Sequence, residues 1–198
     1  MNIETIAIIG AGDVGCEIVR VALLAGYRTV LEDVWQPRLD QAAAALSRLG
    51  PEVCARLITV SRVEAALREA DLVIEALAEE MEMKIEMFTI FDKFGKPNAI
   101  FASSAAALSI SDMAAVTFCP ERCIGFRFTP GGGKEAGLEL VHTPLTSEST
   151  IANCREVGRR MGKEVLVVPD TLAAPARTQR HADHGSARPD RASPRMGN

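Results

Sequence analysis

Short apolar runs alternate with amphipathic segments along most of this chain. The first run, TIAII at residues 5–9, is continuously apolar, as is typical of a strand buried on both faces. Residues 14–25 carry apolar side chains at helical spacing, and Gly26 follows where a helix C-cap is expected. The alternation continues to residue 168. It predicts a Rossmann-type, doubly wound α/β fold with a mainly parallel sheet.

The remaining predicted elements follow the first helix in a regular order. Further strands are predicted at residues 29–31, 57–60, 71–76, 99–102, 123–128, 138–142 and 164–168. Further helices are predicted at residues 38–49, 62–69, 82–94 and 147–161. Since strands joined through helices usually run parallel, with right-handed crossovers, the pattern predicts one domain over residues 1–170.

The end of the chain differs from this domain in composition. Residues 1–170 hold 24 acidic and 17 basic residues, a net charge of −7, whereas residues 171–198 hold two acidic residues and five arginines, a net charge of +3. Residues 171–198 contain no Val, Ile, Phe, Tyr or Trp. Because such a segment cannot bury enough surface to offset the entropy of ordering, we expect a disordered basic tail.

Charge and composition also exclude several classes of protein. The chain has a formal net charge of −4 and no basic cluster in its first 170 residues, which argues against nucleic acid as a partner. No apolar stretch approaches the ~18 residues needed to cross a bilayer, so we expect no membrane partner. The start of the chain shows no basic region of a secretory signal. An odd, scattered set of cysteines is typical of reduced thiols and predicts a cytoplasmic protein: Cys16, Cys54, Cys119, Cys123 and Cys154.

A glycine-rich sequence, GAGDVG at residues 10–15, joins the first strand to the first helix. It fits G-x-G-x-x-G, and an acidic residue, Asp33, follows 23 positions after Gly10. This combination is the fingerprint of a dinucleotide site. Gly10 permits the tight turn, Gly12 lets the backbone approach a pyrophosphate, and Gly15 allows the helix to pack closely on the strand.

The start of the helix and the end of the second strand complete the predicted site. The N–H groups of the first helical turn, including those of Asp13 and Val14, and the helix dipole favour phosphate. Asp33 should accept hydrogen bonds from the adenosine ribose and repel a 2′-phosphate, so NAD is favoured over NADP. Since side chains alternate along a strand, only one of Glu32 and Asp33 is expected to face the ribose, and the spacing favours Asp33. The alternative is a nucleotide-free α/β domain with a glycine-rich turn.

Further motifs follow in a characteristic order along residues 3–170. IAIIGAGDVG, TVLEDV and DLVIEAL come first, and AIFASSAAALSI, PERCIGFRF, GLELV and RRMGKEVLVV follow. In this order they resemble the NAD-binding domain of the 3-hydroxyacyl-CoA dehydrogenase family. The resemblance implies a Rossmann fold, NAD as cofactor, and oxidation of the 3-hydroxyl group of an acyl-CoA in fatty-acid metabolism. It also implies a second, helical domain that closes the site.

The resemblance further places three polar residues beside the cofactor. Glu80 and Lys84 lie, with Glu75, in the family's nucleotide-contacting stretch after the fourth strand, and Ser104 takes the position of an asparagine in the family's A-S-N-T-S-S-L pattern. For Lys84, two alternatives stand side by side: contact with the nicotinamide ribose or substrate, and an ordinary solvated charge on a helix.

The catalytic groups of the family are replaced at most positions. In the family a histidine takes the hydroxyl proton, a glutamate orients it, and a serine and an asparagine hold the substrate oxygen; the corresponding residues here are Arg127, Glu139, Ala106 and Pro130. Arginine keeps its proton at physiological pH and offers no acceptor, so Arg127 cannot act as a base. We therefore predict a structural ion pair between Arg127 and Glu139, the one group retained. His142 is expected to be a partly exposed histidine at a strand end.

Two further departures concern acyl-CoA and the second domain. Residues 34–70 are shorter than the family's helical arm that helps grip coenzyme A, which argues against a full acyl-CoA site. After Asp170, the family's P-G-F…N-R segment is replaced by a sequence rich in Ala, Arg, Pro and Gly. We expect a frameshift at about Asp170-Thr171, in the gene or in its recorded sequence, with a genuine short protein as the alternative. A helical domain acting in trans is a further partner to test.

These inferences favour a member of the dehydrogenase family that retains NAD binding. Weak or no turnover by this chain alone is expected, because Arg127, Ala106 and Pro130 cannot move a proton or hold a substrate oxygen as the family's residues do. The competing hypothesis is a non-catalytic NAD(H)-binding module or a truncated remnant.

Overall fold

One eight-stranded sheet organises residues 2–128 and 137–171, which are the residues described by the computed structural model. The strands are β1 (Thr5–Ile9), β2 (Arg28–Glu32), β3 (Leu57–Val60), β4 (Leu72–Glu75), β5 (Ile100–Ser103), β6 (Cys123–Phe128), β7 (Gly137–His142) and β8 (Glu164–Pro169). Their order is β3-β2-β1-β4-β5-β6-β7-β8. Only β6 and β7 pair antiparallel among these strands. The predicted mainly parallel, doubly wound α/β fold is confirmed.

The helices of the described residues lie between these strands. They are α1 (Asp13–Leu24), α2 (Gln36–Leu46), α3 (Pro51–Cys54), α4 (Val63–Leu67), α5 (Met81–Phe94), α6 (Ile110–Ala114) and α7 (Glu148–Arg160). The helix predicted to reach residue 49 ends at Leu46 and continues as one 3₁₀ turn. The sequence pattern did not predict α6, which is too short to show a helical repeat.

Strand side chains alternate between two apolar layers, one on each face of the sheet. In β1, Ile6 and Ile8 belong to the layer that contains α1, α2 and α7, whereas Ala7 and Ile9 belong to the layer of α4, α5 and α6. All of β1 is buried, as its continuous apolar run predicts. With both faces covered, the ends of the strands are where polar side chains can meet a ligand.

The chain reverses direction across the sheet at β1. From β1 it proceeds through β2 to β3 on one side, then crosses to β4 on the other side of β1. In open α/β sheets such a reversal opens a crevice at the carboxyl ends of the strands, where ligands bind. The glycine-rich turn and Asp33 both follow carboxyl ends of strands at this point.

Two sequence expectations fall outside the described residues. These are the disordered tail, apart from Thr171, and Pro130 with the segment around it. Among the helices of residues 2–128 and 137–171, none combines the length and the apolar character required to cross a membrane.

Candidate functional site

Three glycines shape the turn between β1 and α1. Gly10 has a φ of +107°, and a Cβ there would lie 2.9 Å from the carbonyl oxygen of Ala76. A Cβ at Gly15 would overlap the carbonyl oxygen of Gly10, so α1 packs directly on the end of β1. A Cβ at Gly12 would meet nothing within 4 Å. The backbone is therefore open to a ligand at the middle glycine and closed by packing at the other two.

The amino end of α1 has N–H groups available beside this open space. The first backbone hydrogen bond of the helix runs from Cys16 N to Gly12 O, at 2.9 Å. The N–H groups of Asp13, Val14 and Gly15 have no backbone acceptor in the part of the chain that the structure describes. Together with the positive end of the helix dipole, these groups fit the pyrophosphate of a dinucleotide.

Asp33 is held against the glycine-rich turn by its backbone contacts. Its Oδ2 accepts a hydrogen bond from Ala11 N at 3.0 Å, and its Oδ1 accepts one from Trp35 N at 2.9 Å. The carboxylate is 6% exposed, and the guanidinium of Arg38 lies 3.7 Å from Oδ2. The residue predicted for the adenosine ribose therefore has a fixed position next to the predicted phosphate site, with further lone pairs for hydroxyl donors.

Glu32 lines the same cleft as Asp33, and the expectation that Asp33 is the one that faces the ribose stays a prediction. The cleft wraps around the carboxyl end of β2, so consecutive residues both reach it. Burial, then the carboxylates of Asp33 and Glu64, raise the pKa of Glu32 to about 7. The carboxyl end of β2 thus places two neighbouring carboxyl groups, those of Glu32 and Asp33, on the cleft.

The cleft has a volume of about 950 Å³, a size typical of small-molecule sites. Its floor is the glycine-rich turn, and its polar wall contains Asp33, Ser61 and Arg62. The apolar wall comes from α5 and the segment after β4: Ala76, Leu77, Ala78, Met83, Met87 and Ile90. A mixed cleft of this kind suits a dinucleotide, which has an apolar adenine face and charged phosphates.

A buried ion pair lies at the carboxyl ends of β4 and β5. The Nζ of Lys84 donates to both carboxylate oxygens of Glu75, at 2.7 and 2.8 Å, and both side chains are fully buried. Ser103 Oγ donates to the same carboxylate at 2.7 Å, and the backbone N–H of Leu77 donates at 2.5 Å. The alternative of a solvated helix charge is therefore wrong for Lys84, because α5 carries it inward onto β4. Its contact with a ligand stays a prediction.

The other two residues placed beside the cofactor have different surroundings. Glu80 is exposed and directly precedes α5, whose first helical hydrogen bond runs from Lys84 N to Glu80 O at 3.2 Å. Ser104 directly follows β5 and is half-buried, and its N–H donates to the carbonyl oxygen of Glu75 at 2.9 Å. Both lie at the carboxyl edge of the sheet, where the dinucleotide is expected.

The predicted ion pair between Arg127 and Glu139 is confirmed. The two residues lie opposite each other on antiparallel β6 and β7, and the guanidinium Nη1 is 3.3 Å from Glu139 Oε2. The Nε of Arg127 also donates to the carbonyl oxygen of Ala105 at 2.9 Å. Both side chains are partly exposed. The guanidinium is therefore held by two acceptors and has no lone pair for a proton.

A small pocket of about 310 Å³ joins Arg127 to Ala106 and Asp170. Ala106 offers it only a methyl group, whereas Asp170 Oδ2 accepts hydrogen bonds from Ser111 N and Ser111 Oγ at 2.7 and 2.8 Å. His142 lies at the end of β7, partly exposed as predicted, with Nδ1 3.2 Å from the carbonyl oxygen of Thr143. The pocket therefore presents a fixed cation and a carboxylate.

The contacts of two groups at this edge were not predicted from the sequence. Glu75 belongs to the family's nucleotide-contacting stretch, but its pairing with Lys84 was not predicted, although a charged residue that ends the apolar run LVIE already indicates a paired, buried carboxylate. Ser103 belongs to the same network, and nothing in the local pattern indicates it. The contact between Glu75 and Lys84 depends on how α5 packs on the sheet, and the contact between Glu75 and Ser103 depends on the register of β4 and β5.

Comparison with known proteins gives a consistent family. Residues 5–171 match the family described as 3-hydroxyacyl-CoA dehydrogenase, NAD binding domain. The chain is 35% identical over 181 residues to 3-hydroxybutyryl-CoA dehydrogenase of Bradyrhizobium diazoefficiens, covering 85% of this chain and 62% of that protein. It is 32% identical to a probable 3-hydroxybutyryl-CoA dehydrogenase of Bacillus subtilis, covering 86% of this chain and 64% of that protein. The chain thus spans a little over three fifths of these relatives.

Solved structures agree with this result. The crystal structure of 3-hydroxybutyryl-CoA dehydrogenase from Escherichia coli K12 superposes with a TM-score of 0.78 at 28% identity, covering 86% of this chain and 39% of that chain. The crystal structure of (S)-3-hydroxybutyryl-CoA dehydrogenase from Ralstonia eutropha superposes with a TM-score of 0.77 at 28% identity, covering 86% of this chain and 65% of that chain. The resemblance found in the sequence is confirmed: the chain belongs to the 3-hydroxyacyl-CoA dehydrogenase family through its NAD-binding domain, with NAD as cofactor.

Proposed function

We propose that the chain binds NAD(H) at the carboxyl edge of the sheet through the glycine-rich turn and Asp33. Gly12 leaves space for the pyrophosphate, the first turn of α1 supplies N–H donors, and Asp33 presents its carboxylate to the adenosine ribose. Glu80, Lys84 and Ser104 belong to the same edge of the sheet. Lys84 is buried there and forms an ion pair with Glu75.

The reaction class proposed for the chain follows its relatives. They are 3-hydroxybutyryl-CoA dehydrogenases by name, so the substrate class to test is a 3-hydroxyacyl-CoA of fatty-acid metabolism. NAD, when bound, accepts a hydride from such a substrate. The chain's own task would then be to take the hydroxyl proton and to hold the substrate oxygen.

Weak or absent turnover by this chain alone is the second part of the proposal, and Arg127 carries it. Arg127 stands where the family has its histidine, and its guanidinium is held by Glu139 and by the carbonyl oxygen of Ala105. A positioned base typically contributes about 10²–10⁴ in rate. A guanidinium keeps its proton at neutral pH and cannot supply that contribution. The same observation favours the second candidate, a non-catalytic NAD(H)-binding module.

Two measurements on one preparation separate these candidates. NADH is titrated into the chain by fluorescence, and turnover of 3-hydroxybutyryl-CoA with NAD is then followed by absorbance at ~340 nm. NADH binding with negligible turnover supports the module, whereas turnover at a rate typical of enzymes, about 1–10³ s⁻¹, overturns the assignment of Arg127. Failure to bind NADH contradicts the proposal as a whole.

Gly12→Val is the matched control for the binding measurement. A Cβ at Gly12 meets no atom of the described chain within 4 Å, so the variant should fold. The added side chain would occupy the space assigned to the pyrophosphate and should weaken NADH binding by about tenfold or more. Unchanged affinity in a folded Gly12→Val variant would remove the glycine-rich turn from the site.

A further inference from the structure

Glu32 is a buried carboxyl group without a partner at the edge of the candidate cleft. It is 4% exposed and lines the cleft beside Asp33. Its backbone carbonyl accepts a hydrogen bond from Gly10 N at 2.8 Å, but its carboxylate makes no hydrogen bond or ion pair with the residues that the structure describes. Asp33, in contrast, accepts two backbone hydrogen bonds. Among the described residues no side-chain oxygen is both sealed from solvent and without a hydrogen-bond partner, so the unpaired carboxyl oxygens of Glu32 reach the cleft. A largely buried carboxyl group that is open only toward a ligand-sized cleft points to a role toward the ligand.

The charged groups around Glu32 come from three other elements. Arg38 of α2 lies 3.7 Å from Asp33 and stacks on Trp35, with 5.4 Å from its guanidinium carbon to the ring centroid. Arg62, just before α4, lies 3.7 Å from Glu64 on that helix. The remaining charged side chain that lines the cleft is Asp13, at the start of α1. Each arginine therefore has another carboxylate as its partner, and neither is paired with Glu32.

These charges bear on the choice between two dinucleotides. An arginine near the end of the second strand is the feature that accommodates a 2′-phosphate in Rossmann folds, so Arg38 and Arg62 alone would leave room for NADP. A second carboxyl group beside Asp33 opposes that attraction, because like charges brought together in a partly buried site repel strongly.

We propose that Glu32 is a selectivity residue that, together with Asp33, excludes the 2′-phosphate of NADP(H) from the cleft. The inference rests on the proposed binding of NAD(H) at this site. Since burial and the nearby carboxylates raise the pKa of Glu32 to about 7, its negative charge, and with it the discrimination, increases as the pH rises through neutrality.

The test compares dissociation constants of NADPH and NADH by fluorescence titration at about pH 6.5, 7.5 and 8.5. The ratio is the Kd of NADPH divided by the Kd of NADH, and it increases as NADPH is excluded. From about pH 6.5 to 8.5 this ratio should rise by about tenfold more in the wild-type chain than in Glu32→Gln. The variant is the necessary reference, because the 2′-phosphate itself titrates near pH ~6 and raises the ratio in both proteins. Glu64→Gln is the matched control: it removes a more exposed carboxylate that already has Arg62 as partner, and should change the ratio by less than about threefold.

Several outcomes would overturn the inference without touching the proposed function. One is NADH binding with the same ratio in wild type and Glu32→Gln at every pH. Another is an effect of Glu64→Gln equal to that of Glu32→Gln, which would indicate a diffuse negative field. The wild-type pH series needs no variant: a ratio that stays flat between about pH 6.5 and 8.5 also overturns it. Loss of NADH binding by the wild-type chain instead contradicts the proposed function itself.

Discussion

The nucleotide edge, which is the carboxyl edge of the sheet around the glycine-rich turn and Asp33, differs from the β6–β7 pair in the functional groups that it presents. At the nucleotide edge, the glycine-rich turn keeps its left-handed Gly10 and its open Gly12, and Asp33 stays fixed against it. On β6 and β7, Arg127 is paired with Glu139, and we propose that these two residues take the positions that handle a proton in the family. Binding depends on backbone shape and one acid, whereas proton transfer depends on a group that titrates near neutral pH. One requirement can therefore be lost while the other remains.

The largest expected effect concerns the buried ion pair below the nucleotide edge. Lys84→Met keeps the length of the side chain but leaves the fully buried Glu75 without its cation. Breaking such a pair typically costs about 3–5 kcal/mol in the free energy of unfolding. Urea denaturation measures this cost. The double variant Lys84→Met with Glu75→Gln should recover part of it, and a cost below about 1 kcal/mol would mean that the pair is solvated in solution.

The second prediction concerns the pH dependence of stability. Because the pKa of Glu32 is raised from 4.5 to about 7 in the folded chain, the folded state binds the proton more tightly than the unfolded state does. The stabilisation is complete below about pH 4.5 and is lost as the pH rises toward 7 and above. Relative to Glu32→Gln, the wild type should therefore lose about 2–3 kcal/mol between pH 5 and 8. Urea midpoints that stay parallel over this range would contradict the burial of Glu32.

The sequence pattern predicted most of the fold because long-range packing and local pattern agree there. The continuous apolar run predicted β1, and the glycine-rich turn indicated the start of α1. The helix α6 was missed, although Ser109 caps it by accepting the N–H of Asp112 at 3.1 Å, a contact that a Ser-x-x-Asp spacing would have suggested. The five residues of α6 are too few to show a helical repeat of hydrophobic positions.

The site was predictable only where one segment carries the chemistry. The turn at residues 10–15 is local, and so is its motif. Lys84 and Glu75 meet because α5 packs back on β4. The spacing of the two residues along the chain does not predict this contact. Glu32 reaches the cleft because the cleft curves around the end of β2, a property of the whole crevice rather than of strand alternation. Contacts between elements thus decide what the local pattern leaves open.

The third prediction concerns the β6–β7 pair and introduces the groups that the family uses to handle the proton and the substrate oxygen. The triple variant Arg127→His, Ala106→Ser, Pro130→Asn returns a titratable base and two hydrogen-bonding groups. Because a positioned base contributes about 10²–10⁴, turnover of 3-hydroxybutyryl-CoA should rise by about 100-fold or more over wild type. Arg127→His alone is the control and should give a smaller gain. A triple variant that binds NADH but remains as slow as wild type would indicate that other parts of the site limit the rate.

The smallest effects are expected from removing the arginine without replacing its chemistry. In Arg127→Met the ion pair with Glu139 is lost, but both side chains are partly exposed, so the free energy of unfolding should fall by about 1 kcal/mol or less. The affinity for NADH should stay the same. NAD⁺ should bind about two- to threefold more tightly, because the oxidised nicotinamide ring is cationic and a repulsion of about 0.5 kcal/mol between unit charges is relieved.

The ratio of NAD⁺ to NADH affinity is the readout that a purely structural role of Arg127 would leave unchanged. Titrations of both forms with Arg127→Met and wild type measure it, with urea denaturation on the same samples. A loss of about 3 kcal/mol would make the pair structural in the same sense as Lys84 and Glu75. An unchanged ratio would place the guanidinium away from the nicotinamide and would weaken its assignment to the position of the family's base. A shifted ratio with little loss of stability would keep the contrast: the nucleotide edge binds, and the β6–β7 pair holds a charge that opposes the oxidised cofactor.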